Sequence, residues 1–342
     1  MGSSLAVIGT GLVTSVGLSA AASCAAIRAK LRNPTETRFI DKGGEWIMSH
    51  SVGLQQPLRG LEKLAHMAAM STEECLDPQT RKDLGRVPLL LCVAERTRPG
   101  RLDGLDDRLF EMMGGLLGVE LAPDSAVIPQ GRVAVAVALR LARETIYESH
   151  APAALIVATD SLLGWPTLRV LEQQRRLLST ANSNGFIPGE AAAAILVTAS
   201  TSAVEGLHIT GLGFGTEPAK IDSGDPLRGD GLTRAIKEAL QDADCDMRAI
   251  DFRITDISGE QYYFKEAALA IARTSRHRKE EFDIWHPAEC IGEVGSAIGP
   301  AMLALADAAA RKNYAPGPRV LMHAANDEGQ RAAIVTHFSA SP

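Results

Sequence analysis

Apolar positions along the chain form short continuous runs separated by helical patterns, and the same order of elements occurs twice. Each half begins with an apolar strand that runs into a turn rich in Gly and Thr, at Leu5–Leu12 and again at Leu207–Leu212. Continuous apolar strands between helices are typical of a sheet that helices cover on both faces. The order β-α-β-α-β-α-β-β, present twice, therefore predicts an internal repeat.

The remaining predicted elements correspond between the halves. In the first half they are Ala20–Leu31, Val87–Ala94, Leu105–Leu117, Ser125–Arg143, Ala154–Ala158 and Ala192–Thr198. In the second half they are Leu232–Ala243, Phe252–Ile257, Tyr263–Thr274, Phe282–Arg311, Arg319–Ala324 and Ala332–His337. We expect halves at 1–203 and 204–342. Because no long linker separates them, they are expected to pack as one body.

Two helical segments are rich in small apolar residues on every side, GRVAVAVALRLA from Gly131 and IGPAMLALADAAA from Ile298. Helices that are apolar all round are buried. Two buried helices between two sheets, with further helices outside, predict a five-layered αβαβα protein of the α/β class. The alternative is an ordinary doubly wound α/β protein, which leaves the duplication unexplained.

Charge and composition exclude several classes of protein. The net charge of the 342 residues is -6, which argues against binding to nucleic acid or to an anionic membrane. No apolar run approaches the roughly 20 residues of a membrane span, and the N-terminus does not resemble a signal peptide. The five cysteines form no CxxC pair, and no glycine fingerprint for a dinucleotide is present. We therefore expect a cytoplasmic protein without a metal or cofactor.

Three segments carry a resemblance to a known family. NGFIPGEAAAAILV, from Asn184 to Val197, resembles the β-ketoacyl synthase stretch DGFVMGEGAGVLVL. The opening AVIGTGLVTSVG resembles VVTGLGAVTPLG, and ITGLGFGT resembles the strand that begins the second half of such synthases. The resemblance covers nearly the whole chain and implies the thiolase-like fold. It also implies the 3-oxoacyl-[acyl carrier protein] synthase reaction of fatty acid or polyketide biosynthesis, in which an acyl group joins a malonyl unit.

The residues that perform this reaction in the family are replaced here. The family's cysteine, at the start of the first buried helix, corresponds to Gln130, or to Gly131 after a one-residue slip. The histidine of its HGTGT motif corresponds to Ser258, and the histidine of its K-S-x-I-G-H motif to Glu293. Because members of a catalytic set act as a unit, losing several of them predicts a protein without condensing activity.

Charged and thiol side chains near these positions are further candidates. Arg132 and Glu293 are expected to pair, or to reach solvent together, because unpaired buried charges are costly. Alternatively, Arg132 binds a carboxylate or phosphate in an open tunnel. Cys290 could also form a relocated thiol site with His286, His323 and Glu293. The residues expected to line the former active-site cavity are Arg132, Phe186, Cys290 and His323.

Three functions remain open. The first is an inactive binding, adaptor or partner protein, homodimeric through the strand Ser125–Ile128. Its protein partner would be an active synthase, an acyl carrier protein or a secretion cargo, and Arg169, Arg175 and Arg176 are candidates for meeting an acidic carrier protein. The second is an acyltransferase of the synthase type, or a malonyl decarboxylase, with atypical residues. The third is a subunit that resembles the chain-length factor of heterodimeric synthases, in which glutamine replaces the cysteine.

Overall fold

The computed structural model describes residues 3–201, 204–275, 277 and 279–340. The elements of the first half are β1 (Leu5–Val13), α1 (Ala20–Arg28), β2 (Thr35–Ile40), β3 (Trp46–Ser49), α2 (Gly60–Cys75), α3 (Pro78–Lys82), β4 (Leu89–Cys92), α4 (Arg108–Leu117), β5 (Ala126–Ile128), α5 (Ala134–Tyr147), β6 (Ala154–Ser161), α6 (Trp165–Gln173) and β7 (Glu190–Ala199). Those of the second half are β8 (Gly206–Thr216), α7 (Asp230–Asp242), β9 (Phe252–Thr255), α8 (Gln261–Thr274), β10 (Ile284–Trp285), α9 (Ala288–Ile291), α10 (Ile298–Arg311), β11 (Arg319–Ala325) and β12 (Gln330–Ser339). Every strand and helix predicted from the hydrophobic pattern is present, with shifted ends.

Ten strands hydrogen-bond in the order β10-β9-β11-β12-β8-β1-β7-β6-β4-β5. In the first half β5, β4 and β6 pair in parallel, and β6–β7 and β7–β1 pair antiparallel. In the second half β10, β9 and β11 pair in parallel, and β11–β12 and β12–β8 pair antiparallel. The halves join where β1 and β8 run antiparallel, with Leu5 opposite Ile209 and Ala6 opposite His208. The two halves therefore share one topology, as the internal repeat predicts. The expected boundary at residue 203 lies outside the described residues and stays a prediction.

Alternate residues of each strand belong to different cores, which places the layers. In β6, Ile156 packs in a core with α5 and α10, while Leu155 packs in an outer core with α2 and α4. In β11, Met322 joins the α5 and α10 core, while Leu321 packs with α7 and α8. The helices α5 and α10 thus lie between the two halves of the sheet, and the five-layered α/β prediction is confirmed. Both central helices can be buried between the sheet layers because small apolar residues cover their surfaces on every side.

The counterpart of α7 in the first half is α2, not α1 as we expected from the sequence. Helix α7 lies so close to β8 that a Cβ on Gly213 would be 2.0 Å from the Ala235 carbonyl oxygen. Helix α2 approaches β1 equally closely, since a Cβ on Gly11 would be 1.9 Å from the Ser71 oxygen. Helix α1 instead contributes Ile27 to the core around α10. The sequence comparison paired the wrong helices because α2 was not recognised.

A small cap that the hydrophobic pattern did not predict covers one end of the first half. The hairpin of β2 and β3 packs beside α6, where the Phe39 and Trp165 rings stack with centroids 5.0 Å apart. Apolar side chains around Phe186 and Leu171 form a separate cluster beneath it. Among the described residues, no helix is both long enough and apolar enough to cross a lipid bilayer.

Candidate functional site

The turn that leads from β5 into α5 holds the position expected for a nucleophile. The carbonyl of Gln130 accepts a hydrogen bond from Asn326 Nδ2 at 2.7 Å. Gly131 has φ +52°, and a Cβ there would lie 2.2 Å from Cδ of Glu95. The Glu95 carboxylate therefore fills the space into which a side chain at 131 would project. The side chain that leaves this turn toward the second half of the chain is that of Arg132.

Arg132 is buried and its guanidinium meets groups from four segments of the second half. Nη2 donates to Asp327 Oδ1 at 2.7 Å and to the Tyr263 hydroxyl at 2.8 Å. Nη1 donates to Glu293 Oε2 at 3.4 Å, and Nε lies 3.8 Å from Asp256 Oδ2. The expected pairing of Arg132 with Glu293 is confirmed. The alternative, in which Arg132 binds a carboxylate or phosphate in an open tunnel, has less support, because protein carboxylates already bind the guanidinium.

Arg176 is a second buried arginine in the same cluster. Nε and Nη2 donate to the two carboxylate oxygens of Glu260, both at 2.7 Å, and Nη1 donates to Asp327 Oδ2 at 2.5 Å. Asp327 thus bridges Arg132 and Arg176. The expectation that Arg176 serves as an exposed entrance residue is wrong, because its guanidinium is enclosed by these acids; Arg169 and Arg175 are exposed.

We call Arg132, Arg176, Asp256, Glu260, Glu293 and Asp327 the central ion cluster. Burial raises the pKa of Asp256 to about 7, and Arg132 and the Ala325 amide oppose this shift. Burial also raises the pKa of Glu293, and the positive charge of Arg132 only partly offsets this shift. For Asp327 burial acts in the same direction, but the charges of Arg132 and Arg176 outweigh it and hold its pKa well below the usual range. Four carboxyl groups thus share two guanidiniums.

Two polar atoms beside the cluster lack a hydrogen bond among the described residues. Ser258 Oγ is one of them; it lies near Glu293 and lowers the pKa of that carboxyl. Asn326 Oδ1 is also buried without a partner. The structure therefore brings positions 258 and 293 together, with the guanidinium of Arg132 beside them. Gln130 is exposed, and within the part of the chain that the structure describes its side chain makes no hydrogen bond to these groups.

A second ion cluster holds the starts of both central helices. Arg98 Nη1 donates to both oxygens of Asp160 at 2.7 and 2.8 Å, and Nε donates to Glu95 at 2.8 Å. Asp160 Oδ2 in turn accepts from the backbone N–H of Ser296, in the turn that begins α10. Carboxylates are favourable at helix N-termini, so Asp160 stabilises the α10 end while Glu95 faces the α5 end.

A cavity of about 350 Å³ opens beside both clusters. Carboxylates of Glu95, Glu293 and Asp327 contribute to its floor. An exposed ion pair between Lys220 and Glu328, 2.8 Å long, lies at its rim. Its apolar wall consists of Pro99, Leu162, Val170, Leu171, Phe186 and Ile221. The cavity therefore combines a charged floor with an aliphatic and aromatic wall, and it contains Arg132 and Phe186 as expected.

Cys290 and His323 do not line this cavity, contrary to our expectation. Cys290 packs in the core around α10, where Sγ lies 4.0 Å from the Ile27 carbonyl oxygen, and burial raises its pKa. His323 follows Met322 on β11 and so points to the opposite face of the sheet, where burial lowers its pKa to about 3. His286 Nδ1 is occupied by the Thr255 hydroxyl at 2.8 Å. The described residues show no relocated thiol site.

Several site residues escaped the sequence analysis. Glu95, Asp160, Asp256 and Asp327 each follow closely on, or end, a strand of a β-α-β unit, namely β4, β6, β9 and β11. Acidic residues at the carboxyl ends of such strands are a recognisable signal, because these ends meet at one edge of the sheet. Among the described residues, no group of three or more His, Cys, Asp or Glu side chains is arranged to hold a metal ion.

Solved structures resemble the chain along almost its whole length. A ketosynthase in complex with its chain length factor from Xenorhabdus doucetiae has a TM-score of 0.78 at 13% identity, covering 98% of both chains. A type II PKS acyl-carrier protein complex with its ketosynthase has a TM-score of 0.80 at 15% identity, covering 99% of this chain and 100% of that chain. The chain has the thiolase-like fold of the ketosynthases.

A β-ketoacyl synthase from Burkholderia phymatum is also similar, with a TM-score of 0.73 at 15% identity and coverage of 99% and 100%. No protein-family model and no curated protein matches the sequence. At these identities the structural likeness shows the fold of this ketosynthase-like chain, and its chemistry has to be argued from its own residues.

Proposed function

We propose that this ketosynthase-like chain is a catalytically silent subunit that acts by binding. One observation carries the proposal: Arg132 lies between Glu293 and Asp327 in the space where thioester chemistry is expected. A guanidinium stays protonated in proteins and is not a nucleophile. A cytoplasmic location belongs to the same proposal.

The groups around Arg132 do not supply the missing chemistry. Acyl transfer requires a thiol or hydroxyl activated by a neighbouring base. Ser258 is a hydroxyl, but its neighbour Glu293 also holds Arg132 and the Gly295 amide, at 3.4 and 3.0 Å. Decarboxylation requires hydrogen-bond donors aimed at a developing oxyanion. The donors of Arg132 and Arg176 already face protein carboxylates.

Pairing with a second chain is the role that the fold favours. Among the similar structures are a ketosynthase with its chain length factor and the ishigamide ketosynthase/chain length factor, the latter with a TM-score of 0.78 at 16% identity. Strand β5 is an outer strand of the described sheet, and Ala126 on it is exposed. An open strand edge favours pairing with another chain. We propose a homodimer through β5, with a heterodimer as in a chain length factor as the second candidate.

Catalysis is tested by incubating the protein with acyl- and malonyl-thioesters and measuring intact mass and carbon dioxide release, beside an active ketosynthase as positive control. We expect neither an acyl adduct nor decarboxylation. An adduct on any residue, or release above the buffer rate, would overturn the proposal and favour an acyltransferase or a decarboxylase.

Pairing is tested by sedimentation of the protein alone and by capture from its native host. We expect a dimer that Ala126→Asp weakens. Ala21→Asp, an exposed substitution on α1, is the matched control and should leave the dimer intact. A monomer that is captured with an active ketosynthase would replace the homodimer by the chain-length-factor role.

A further inference from the structure

A second cavity, of about 470 Å³, lies beside the cap hairpin of β2 and β3. Residues 35–39, five consecutive positions of β2, line it. Because successive residues of a strand point to opposite faces, a cavity that contacts all five runs along the edge of the strand. The facing wall consists of Arg59, Gly60 and Lys63 around the start of α2, and of residues 100–102 in a loop. We call this cavity the hairpin groove.

The edge of β2 that faces the hairpin groove has no strand beside it in the part of the chain that the structure describes. Strand β2 pairs with β3 in a sheet of two strands. Strand β3 contributes one residue, Ser49, to the lining, so the groove lies along the other edge of β2. An edge strand presents backbone N–H and C=O groups to which an extended segment of another chain can hydrogen-bond. The groove therefore has one wall on which a third strand can form.

The charged side chains that line the hairpin groove are mostly basic. The bases are Arg38, Arg59, Lys63, Arg98 and Arg101, and the acids are Glu36, Asp160 and Glu190. Three of the bases are already paired with carboxylates, namely Lys63 with Glu190, Arg98 with Asp160 and Glu95, and Arg101 with Asp106. The charges that remain belong to two arginines and one acid.

Arg38 and Arg59 are these two arginines. Both are exposed, and neither forms an ion pair with a described residue; Arg38 packs over the Phe39 ring, 5.1 Å from its centroid. The remaining acid, Glu36, is a single exposed carboxylate, so positive charge is in excess. Guanidiniums bind carboxylates through two parallel N–H···O bonds. The groove therefore favours an acidic segment over a basic one.

The floor of the hairpin groove is apolar. Leu64, Ala94 and Leu105 line it and are each at most 3% exposed. Side chains alternate along an added strand, so one set can meet these buried residues while the other meets the arginines at the rim. The groove therefore suits a sequence in which acidic and apolar residues alternate.

We propose that the hairpin groove binds an extended segment of a partner protein, with alternating acidic and apolar residues, as a third strand beside β2. This site differs from the pairing through β5, because it lies on a separate sheet and takes a peptide rather than a folded copy of the chain. Main-chain hydrogen bonds to β2 supply affinity, while Arg38, Arg59 and the apolar floor select the sequence.

Fluorescence anisotropy with labelled hexapeptides tests the charge preference on the unaltered protein. The probes are Glu-Val-Glu-Val-Glu-Val and Lys-Val-Lys-Val-Lys-Val, both with blocked ends. We expect the acidic peptide to bind with a dissociation constant on the order of 10–100 μM and the basic peptide to bind at least about tenfold more weakly. Equal affinities, a preference for the basic peptide, or no binding of the acidic peptide at millimolar concentration would each overturn the proposal.

N-methylation of alternate residues tests whether the acidic peptide is bound as a strand. Methylating the N–H groups that face β2 removes hydrogen bonds, whereas methylating those that face away leaves the strand pairing intact. Two acidic peptides, each methylated on one of the alternating sets, should therefore differ about tenfold in affinity. Equal binding of the two would mean that the groove attracts charge without pairing a strand, which contradicts the proposal.

Charge removal in the groove locates the site. Arg38→Gln and Arg59→Gln are each expected to weaken binding of the acidic peptide about fivefold or more. Arg234→Gln is the matched control, since Arg234 is also exposed, on α7, without an ion pair to a described residue, and binding should stay unchanged. Similar effects of all three substitutions would show a response to overall charge and refute the assigned site.

A second copy of this chain is another occupant that an open strand edge could take, and sedimentation of two variants separates the cases. We expect Ala126→Asp to weaken the dimer and to bind the acidic peptide as the wild type does. A dimer that Arg59→Gln dissociates and Ala126→Asp leaves intact would put the second copy in the hairpin groove and remove the inference. Loss of the dimer proposal alone leaves peptide binding unaffected, so the two failures are distinguishable.

Discussion

The Arg132 guanidinium and the Asp327 carboxylate lie 2.7 Å apart although 195 positions separate them in sequence. Asp327 also holds Arg176, which follows α6 in the cap of the first half. One carboxylate therefore ties the start of a central helix, the turn between β11 and β12, and the cap. Asp327 is therefore a structural joint between the two halves of the chain.

Arg132→Ala should destabilise the protein strongly. Removing one member of a buried ion cluster leaves its partners charged and unpaired, which costs about 3–5 kcal/mol. Urea denaturation measures the effect. Arg140→Ala is the control, since Arg140 is exposed on the same helix α5, over the Phe214 ring, and should cost less than about 1 kcal/mol. Equal losses in the free energy of unfolding for the two variants would show that the ion pairs of Arg132 do not contribute to stability beyond an exposed arginine.

Asp256 should make stability depend on pH near neutrality. Its pKa is about 7 in the folded protein, whereas an unfolded aspartate has a pKa of about 3.9. Between these values the folded state binds a proton that the unfolded state has lost, so this group's contribution favours folding as pH falls from 8 to 6. Above the pKa of the folded state, Asp256 is charged in both states, and the full cost of burying its carboxylate lowers the stability of the folded protein.

Comparison of the wild type with Asp256→Asn isolates this contribution. Asp256→Asn removes the cost of burying a charged Asp256, and that cost is larger at pH 8. The free energy of unfolding of the variant minus that of the wild type should therefore be larger at pH 8 than at pH 6, which means that the substitution stabilises the folded protein more at pH 8. Buried histidines such as His323, whose pKa is lowered to about 3, act in the opposite direction below about pH 6.5, but both proteins contain them. A pH-independent difference between the two proteins would exclude a titrating Asp256.

The duplicated sheet and the two buried helices were predictable because periodicity and composition record burial directly. Val87–Ala94 and the helix from Ile298 have no polar face, so only an interior position suits them. The close helix on β1 was missed for a physical reason. Helix α2 is amphipathic with Gly60 at its start, and its contact depends on Gly11 in a distant strand. A contact of that kind leaves no local pattern.

The site was predictable only where the resemblance supplied a position. Arg132 and Glu293 were placed together because each is a charge next to a buried helix. Their partners Asp327 and Arg176 come from loops, whose conformation no periodicity determines. His323 was misplaced because the face to which a strand residue points depends on register, and a shift of one residue reverses it.

The cysteines should react slowly with thiol reagents. Burial raises the pKa of Cys24 to about 12 and also raises that of Cys75, Cys92 and Cys290, so little thiolate forms at neutral pH. Cys245 is half-buried and should be modified first. Titration with a disulfide reagent should therefore detect about one fast thiol in the native protein and five in denaturant. Fast labelling of Cys290 would revive the relocated thiol site.

The final prediction concerns the helix contacts that define the outer layers. Gly11→Ala would place a Cβ 1.9 Å from the Ser71 carbonyl oxygen on α2, so helix and strand must separate. Overpacking of this kind costs about 1–3 kcal/mol or more. Gly213→Ala should behave alike, because its Cβ would meet the Ala235 oxygen on α7 at 2.0 Å. Similar losses at both positions are expected if α2 and α7 are equivalent in the two halves.

Gly115→Ala is the matched control for this pair. Gly115 lies inside α4 with no atom within 4 Å of the added methyl group, so alanine should stabilise the protein by about 0.5–1 kcal/mol through its better helix propensity. Thermal and urea denaturation of the three variants measure whether each substitution raises or lowers the free energy of unfolding. If Gly11→Ala proves neutral while Gly213→Ala is costly, α2 does not pack on β1 as α7 packs on β8, and the equivalence of the outer layers is lost.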